Sequence, residues 1–239
     1  PLNDIASIEQ YAAERADYVI ATSEIVKNDL IGAGITTEKI EVIHNAIEDY
    51  WFETSNIDFE NKTAIIFLGR IGEDPFTLKL KGVDRLIWLF EKFPEVDKFS
   101  VIMSRNKKLV RWMKDNIPNH SIALNAIKDT IPSLLKKYAG GIALLTSRYE
   151  GFSLSLIETM SQSLVPISFP VGVAPEIIRD GENGFIVHTI EEAEEKINLL
   201  LKDTAFRHRL SLNAKETAKQ FRSDIMSEKT INLYRKILR

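Results

Sequence analysis

The chain has 239 residues, of which 44% are hydrophobic and 27% are charged, so it can bury a sizeable core. Its net charge of −3 provides no global field that would attract nucleic acid. The absence of cysteine excludes disulfides and thiolate metal sites, and it fits a reducing compartment. No apolar run reaches about 18 residues and no signal-like segment is present. These features predict a cytoplasmic protein.

Short β-branched runs alternate with longer amphipathic segments along the chain. Strands are predicted at residues 17–22, 39–44, 63–69, 99–103, 121–125, 141–146, 165–169 and 184–187. Residues 82–93 and 189–203 carry apolar side chains at helical spacing, and the GAG at 32–34 reads as a helix end. Such alternation is typical of an α/β fold, in which helices cover both faces of a parallel sheet. Trp51, Trp88 and Trp112 are predicted to be packing residues.

The best candidate for a domain boundary is residues 45–62, a polar stretch with aromatic anchors and little periodicity. Only two strand–helix units precede it, which are too few for an independent sheet. Six predicted strands follow it, which suit one core. The prediction is the tail of one Rossmann-like domain at 1–44, a linker at 45–62, a complete Rossmann-like domain at 63–225 and a terminal helix at 226–239.

In open α/β sheets, ligands bind beyond the carboxyl ends of the strands. Four predicted strands end in polar residues suited to this role, at Arg70, Ser104, Asn125 and Ser147. The last of these opens the segment SRYEGFSLSLIETM, residues 147–160, which leads into a predicted helix. This segment is the richest of the four in candidate ligand-binding groups.

The start of that helix suits a phosphate, because its first amides and its macrodipole attract an anion. Gly151 lets the backbone approach a ligand closely. Glu150 precedes the helix and Glu158 lies on its second turn, where carboxylates would accept hydrogen bonds from hydroxyls. The segment therefore predicts a ligand with hydroxyls at both ends and phosphate between them, such as a nucleoside diphosphate sugar.

Glu150 and Glu158, separated by seven residues in EGFSLSLIE, resemble the signature of retaining glycosyltransferases of the GT-B fold, family four. The segments ADYVIATSEIVKNDL, EKIEVIHNAI, FLGRIGEDPFTLKLKGVDRLI and PVGVAPEIIRDGENGFIV resemble other parts of that family in the same order. The resemblance implies that residues 63–225 are the donor-binding domain and that residues 1–44 are the end of the acceptor domain. It also implies that the terminal helix, with Ile231, Tyr234 and Ile237 on one side, packs back towards the acceptor domain.

The resemblance also implies roles for individual residues. Arg70 and Lys81 would hold the diphosphate and neutralise the leaving group, Glu150 would face the donor sugar, and Glu158 would bind the ribose hydroxyls. Lys79 remains an alternative to Lys81, because the spacing from Arg70 is longer than usual in the family. The other implied donor-binding residues are Gly69 and the backbone of Gly151, Phe152, Ser153 and Leu154. The base would lie near Ala126 and Ile127.

The sequence departs from the family pattern at several positions that usually carry glycine. Ser153, Ser163 and Val173 stand at three of these positions, and SRN replaces a glycine-rich turn after Met103. These departures leave the sugar preference open. No Asp-x-Asp pair and no His/Asp cluster with ligand spacing is present, so the prediction includes no cofactor and no metal.

The implied partners are a UDP- or GDP-linked sugar, a glycan, lipid-linked or protein acceptor, and the missing N-terminal acceptor domain, with no nucleic acid. That missing domain could also hold the protein at the inner face of the membrane. Two alternatives stay open: a non-catalytic GT-B scaffold subunit, and another GT-B-type enzyme such as a sugar nucleotide epimerase.

Overall fold

The computed structural model describes residues 2–53, 59 and 63–238. The strands of this part of the chain are β1 (Val19–Ala21), β2 (Ile40–Val42), β3 (Ala64–Arg70), β4 (Asp97–Met103), β5 (His120–Leu124), β6 (Ile142–Leu145), β7 (Val165–Ser168) and β8 (Phe185–Ile186). Each overlaps one predicted strand, so the eight strand predictions are confirmed.

Helices separate most of these strands. The α-helices are α1 (Leu2–Arg15), α2 (Glu24–Gly32), α3 (Pro75–Leu80), α4 (Val83–Lys92), α5 (Lys107–Asn116), α6 (Ile131–Lys136), α7 (Leu154–Ser161), α8 (Ala174–Ile177), α9 (Ile190–Lys202), α10 (Thr204–Ala218) and α11 (Ser223–Ile237). Short 3₁₀ helices lie at Thr37–Lys39, Asp49–Phe52, Lys128–Thr130 and Lys219–Phe221.

Six strands form one parallel sheet in the order β5-β4-β3-β6-β7-β8. The chain enters at β3, winds outward through β4 and β5, and then returns to β6 on the other side of β3. This doubly wound order makes the neighbouring carboxyl ends of β3 and β6 the switch point of the sheet. Ligands bind at such a point in folds of this type.

Helices pack on both faces of the sheet, as predicted. One face buries Leu86 and Phe90 of α4 together with Met113 of α5. The other buries Leu156 and Met160 of α7 together with side chains of α6 and α10. Each fully buried side chain of this size contributes about 1.5 to 3 kcal/mol relative to an exposed one. These two cores hold the strand ends, and therefore the loops between them, in place.

Two of the three tryptophans pack as predicted. Trp51 is fully buried and Trp88 packs against the core on the α4 face. The prediction was wrong for Trp112, which is 40% exposed on α5. The buried side of α5 instead carries Val110 and Met113, which turns Trp112 outward.

Residues 19–44 build a small second unit. β1 and β2 pair in parallel, and Ala21, Ile35 and Ile40 form its core. Ser23 caps α2, since its side chain accepts a hydrogen bond from the Val26 amide. The helix ends at GAG, where Gly34 has φ +93°, so this expectation is confirmed.

Residues 45–53 pack onto the large sheet. Ile47 forms a parallel β-bridge with Arg222, and the Gln162 side chain donates a 2.7 Å hydrogen bond to the Trp51 carbonyl. Residues 54–58 and 60–62 of the predicted linker lie outside the described residues. The domain boundaries therefore stay a prediction.

The terminal helix α11 reaches the first part of the chain through Lys236, whose ammonium lies 3.8 Å from Glu41 and 5.0 Å from the centre of the Tyr18 ring. Its buried side chain is Leu233. The apolar side chains that the sequence placed on one side of this helix, Ile231, Tyr234 and Ile237, are exposed.

Candidate active site

A cleft of about 600 Å³ opens at the carboxyl ends of β3 and β6, and Ser147 is part of its wall. A second cavity of about 560 Å³ adjoins it, because Arg70 and Met103 line both. Ser104 and Asn125 also line the second cavity. The four strand ends that were predicted to bind a ligand therefore meet at one place.

The loop between β6 and α7 has a constrained shape. Ser153, the N-cap residue of α7, has φ +78°, which residues other than glycine rarely adopt. The Val173 amide donates a 2.9 Å hydrogen bond to the Phe152 carbonyl. Gly172 packs so closely here that a Cβ atom would lie 2.4 Å from the same carbonyl oxygen. These contacts fix the start of α7.

The start of α7 forms one wall of the cleft, which Ser153 and Leu154 line. The first amides of a helix have no intrahelical partner, and the macrodipole makes this end positive. Within the described residues, the buried hydroxyl of Ser153 also has no hydrogen-bond partner. This wall therefore presents hydrogen-bond donors to the cleft.

Glu150 and Lys81 meet across the cleft. The Lys81 ammonium lies 2.7 Å from a Glu150 carboxylate oxygen, which also accepts a 2.7 Å hydrogen bond from Ser147. Lys81 is positioned by the next residue, Gly82, which has φ +62° and would place a Cβ atom 1.8 Å from the Thr146 carbonyl oxygen. Only glycine allows this close approach without displacement of the backbone.

Lys79, the alternative to Lys81, lies outside the cleft lining. Its ammonium is 3.1 Å from Asp84, which also accepts two hydrogen bonds from Arg148. These two cations hold the pKa of Asp84 well below its usual range, chiefly through the hydrogen bonds from Arg148. Lys81, in contrast, lines the cleft together with Arg70.

Arg70 supplies a cation at the end of β3. It follows Gly69, and both residues line the cleft. In the part of the chain that the structure describes, Arg70 forms no ion pair. Its guanidinium therefore remains available to an anion that enters the cleft.

Glu158 is the buried carboxylate of the site, with only 8% of the residue exposed. Burial raises its pKa to about 7, while the charge of Lys128 acts to lower it and that of Glu48 acts to raise it. The side chain nevertheless lines the cleft. Glu158 is therefore a hydrogen-bonding group whose charge changes near neutral pH.

Four of the predicted site residues do not line the cleft. Gly151 turns its carbonyl to the first part of the chain, where Ser23 and Thr22 donate hydrogen bonds of 2.7 and 3.2 Å. The Phe152 side chain is buried beside His44 and Phe221. Ala126 packs against the core on the α7 face, whereas Ile127 is 71% exposed. The structure thus brings Gly69, Arg70, Lys81, Glu150, Ser153, Leu154 and Glu158 together.

Sequence reasoning missed several residues of this site. Lys128 lines the cleft and forms an ion pair with Glu48. Thr22 and Ser23 hold the Gly151 carbonyl from the other end of the chain. No local pattern marks these residues, although the position of Lys128 just after a strand end was a usable signal.

In the described ranges 2–53, 59 and 63–238, no cluster of three or more His, Cys, Asp or Glu side chains is arranged to hold a metal ion. None of the helices in the same ranges combines the length and apolar character needed to cross a bilayer.

The family description "Glycosyl transferases group 1" matches residues 49–217, which is most of the chain. The chain belongs to this family. A second description, Glycosyltransferase Family 4, matches residues 3–49. The resemblance seen in the sequence is therefore confirmed.

Curated relatives of this group 1 chain are longer than it is. An uncharacterized glycosyltransferase of Methanocaldococcus jannaschii is 25% identical over 238 residues, which cover 94% of this chain and 58% of the relative. Alpha-maltose-1-phosphate synthase of Mycobacterium tuberculosis is 24% identical over 271 residues, which cover 96% of this chain and 66% of the relative. The chain thus spans 58 to 66% of the length of these relatives.

Solved structures of glycosyltransferases share the fold of this group 1 chain. Anabaena HepE in complex with UDP-glucose superposes with a TM-score of 0.80 at 22% identity, over 96% of this chain and 67% of HepE. A variant of Staphylococcus aureus TarM in complex with fondaparinux, alpha-GlcNAc-glycerol and UDP gives 0.76 at 23% identity, over 95% and 46%. The predicted GT-B-type α/β fold is confirmed.

Proposed function

We propose that the chain is the donor-binding part of a retaining glycosyltransferase, which moves a sugar from a nucleoside diphosphate to an acceptor hydroxyl without a metal ion. The observation that carries this proposal is the cleft itself. It combines two cations, Arg70 and Lys81, with the amide-rich start of α7 and the buried carboxylate of Glu158. The first three groups suit a diphosphate, and the carboxylate suits ribose hydroxyls.

Each cation has a distinct chemical role in the proposal. Arg70 offers a planar fork that can bind two phosphate oxygens, and Lys81 offers a point charge. Both would stabilise the negative charge that develops on the leaving diphosphate, so the protein would supply the charge that a metal supplies elsewhere. Because Lys81 pairs with Glu150 at 2.7 Å, a diphosphate would compete for this lysine and release Glu150 towards the sugar.

The nucleoside end of the donor would lie between α7 and the loop after β5. Glu158 would accept hydrogen bonds from the ribose, and the exposed Ile127 beside Ala126 would offer apolar surface to the base. Complexes of HepE with UDP-glucose and of TarM with UDP support a nucleotide sugar as the donor. Retention of anomeric configuration, and a glycan, lipid-linked or protein acceptor, follow from the family resemblance.

Calorimetric titration tests this proposal. UDP and GDP are titrated into the chain with and without EDTA, and at least one should bind with an affinity that EDTA leaves unchanged. Glu158→Ala should weaken the nucleoside diphosphate and the nucleotide sugar alike, by about tenfold to a hundredfold, since a hydrogen bond to a charged group contributes about 1.5 to 3 kcal/mol. Glu150→Ala should not weaken the diphosphate, because it removes the carboxylate that competes for Lys81, and it should change the discrimination among sugars.

Asp115→Ala removes an exposed carboxylate of α5 outside the cleft and serves as the matched control. Binding that disappears with EDTA would contradict metal independence. Equal losses for both ligands in both glutamate variants would contradict the assignment of their roles.

A further inference from the structure

Charged and polar groups from two segments of the chain interact with the buried Glu158. Lys128, in the 3₁₀ helix after β5, lines the cleft together with Glu158. Lys128 also forms an ion pair with Glu48, which lies in the segment that precedes β3. Tyr50 follows two residues later, and its buried hydroxyl has no hydrogen-bond partner within the described residues. Glu48, Tyr50, Lys128 and Glu158 are called the acidic-end cluster below.

The protonation state of Glu158 decides what it can bind. An ionised carboxylate accepts hydrogen bonds at both oxygens, whereas a protonated one has a donor at one of them. Burial favours the protonated form and a nearby cation favours the ionised form. Within the acidic-end cluster, Lys128 and Glu48 therefore act on Glu158 in opposite directions.

We propose that Lys128 is a positioning residue of the donor site, which shifts Glu158 towards the ionised form that accepts hydroxyl hydrogen bonds. Glu48 pairs with Lys128 and limits this effect. The inference rests on the proposed function, because it takes Glu158 as the acceptor of the ribose hydroxyls. It adds a role for the ion pair of Lys128 with Glu48, which tunes the charge of Glu158 and lies outside the segment EGFSLSLIE.

The direction of the charge effects agrees with this arrangement. Burial raises the pKa of Glu158 to about 7, and Lys128 opposes that rise while Glu48 adds to it. The hydrogen bond with Glu48 raises the pKa of Lys128, so this lysine stays charged at neutral pH. Burial raises the pKa of Tyr50, which stays neutral. The other charged groups that line the same cleft are Arg70, Lys81 and Glu150.

The test is a pH profile of nucleotide-sugar binding. UDP-glucose and GDP-glucose are suitable probes, because a diphosphate esterified at both ends does not change charge near neutral pH. The Kd is measured over about pH 5.5 to 8.5, the interval in which Glu158 changes charge. Affinity should rise with pH through about 7, as the carboxylate of the free site becomes ionised.

Three variants test whether the pH midpoint of nucleotide-sugar binding shifts as the proposal expects. Lys128→Met should move the midpoint to higher pH, Lys128→Arg should leave it in place, and Glu48→Gln should move it to lower pH. Each full pH unit of displacement corresponds to about a tenfold change in Kd on the acid side. Lys108→Met, which removes an exposed lysine of α5 outside the cleft, is the matched control and should leave the midpoint unchanged.

Failure of the inference can be told apart from failure of the proposed function. Glu158→Gln should flatten the profile. If the pH midpoint of binding is lost in Glu158→Gln but unchanged in Lys128→Met, the inference is overturned. The proposed donor site would still stand.

A ligand-free measurement completes the test. The ¹³C resonance of the Glu158 carboxyl group, assigned by its absence in Glu158→Gln, reports the titration directly. If the titration midpoints of this resonance follow the same order among the variants as the midpoints of binding, the inference is supported. A midpoint that is unchanged in Lys128→Met overturns it. Absence of binding by either nucleotide sugar would instead refute the proposed function.

Discussion

Replacing Glu158 by glutamine should make the folded chain more stable at alkaline pH. Burial raises the pKa of this carboxyl group from 4.5 to about 7. Between these values the folded chain keeps a proton that the unfolded chain has released, so stability falls as the pH rises through the interval. Glutamine fills the same space without a charge and avoids this cost.

The size of the effect follows from the two pKa values. The interval from 4.5 to about 7, at about 1.4 kcal/mol for each pH unit, corresponds to about 3 kcal/mol. The loss of folding stability in the wild-type chain is absent below pH 4.5 and complete above about pH 7. Glu158→Gln should therefore match the wild type in acid and gain up to about 3 kcal/mol in alkali, while it loses nucleotide affinity.

Urea unfolding followed by circular dichroism measures this difference at about pH 4.5 and about pH 8, which bracket the interval. Glu150→Gln is a matched control, because it removes a carboxylate of the same cleft that already pairs with Lys81 at 2.7 Å. The control should show no comparable gain. If Glu158→Gln gains no more at the alkaline pH than at the acid pH, burial does not disfavour the charge on Glu158, and the reasoning fails.

Two further predictions concern the side of the cleft that is proposed to bind phosphate. Gly82→Ala should destabilise the chain by at least about 1 kcal/mol, because alanine at φ +62° is strained and its Cβ atom meets backbone; thermal unfolding checks this against Gly32→Ala, where nothing lies within 4 Å of the added atom. Arg70→Met should weaken UDP binding about tenfold or more, whereas Lys79→Met should leave it unchanged, as measured by calorimetry. Equal losses in the two variants would place Lys79 at the phosphate.

The fold could be predicted from sequence because its signals are local. Strands of a parallel sheet are buried on both faces, so runs such as AIIFL and IALL are recognisable without knowledge of their neighbours. The helix start after Ser153 was visible for the same reason. Trp112 shows where this approach fails, because one exposed aromatic residue on an amphipathic helix resembles a buried one in the sequence.

The site was predictable only where its residues share a short segment. Glu150 and Glu158 lie on one loop and helix, and Arg70 directly follows a buried strand. The ion pair of Lys128 with Glu48 joins residues 80 positions apart, and the hydrogen bond from Ser23 to Gly151 joins residues 128 positions apart. Such contacts depend on how two units pack together, which no local pattern encodes.

Thr22 and Ser23 donate hydrogen bonds to the Gly151 carbonyl, and this contact matters when parts of two glycosyltransferases are joined into a hybrid enzyme. A hybrid enzyme is naturally joined within the segment between the two units, which in this chain is the linker predicted at residues 45–62. In this chain, that junction would replace the two side chains that hold the loop before α7. A junction placed ahead of Val19 would keep both side chains, so the cleft would be transferred together with the contacts that hold its loop.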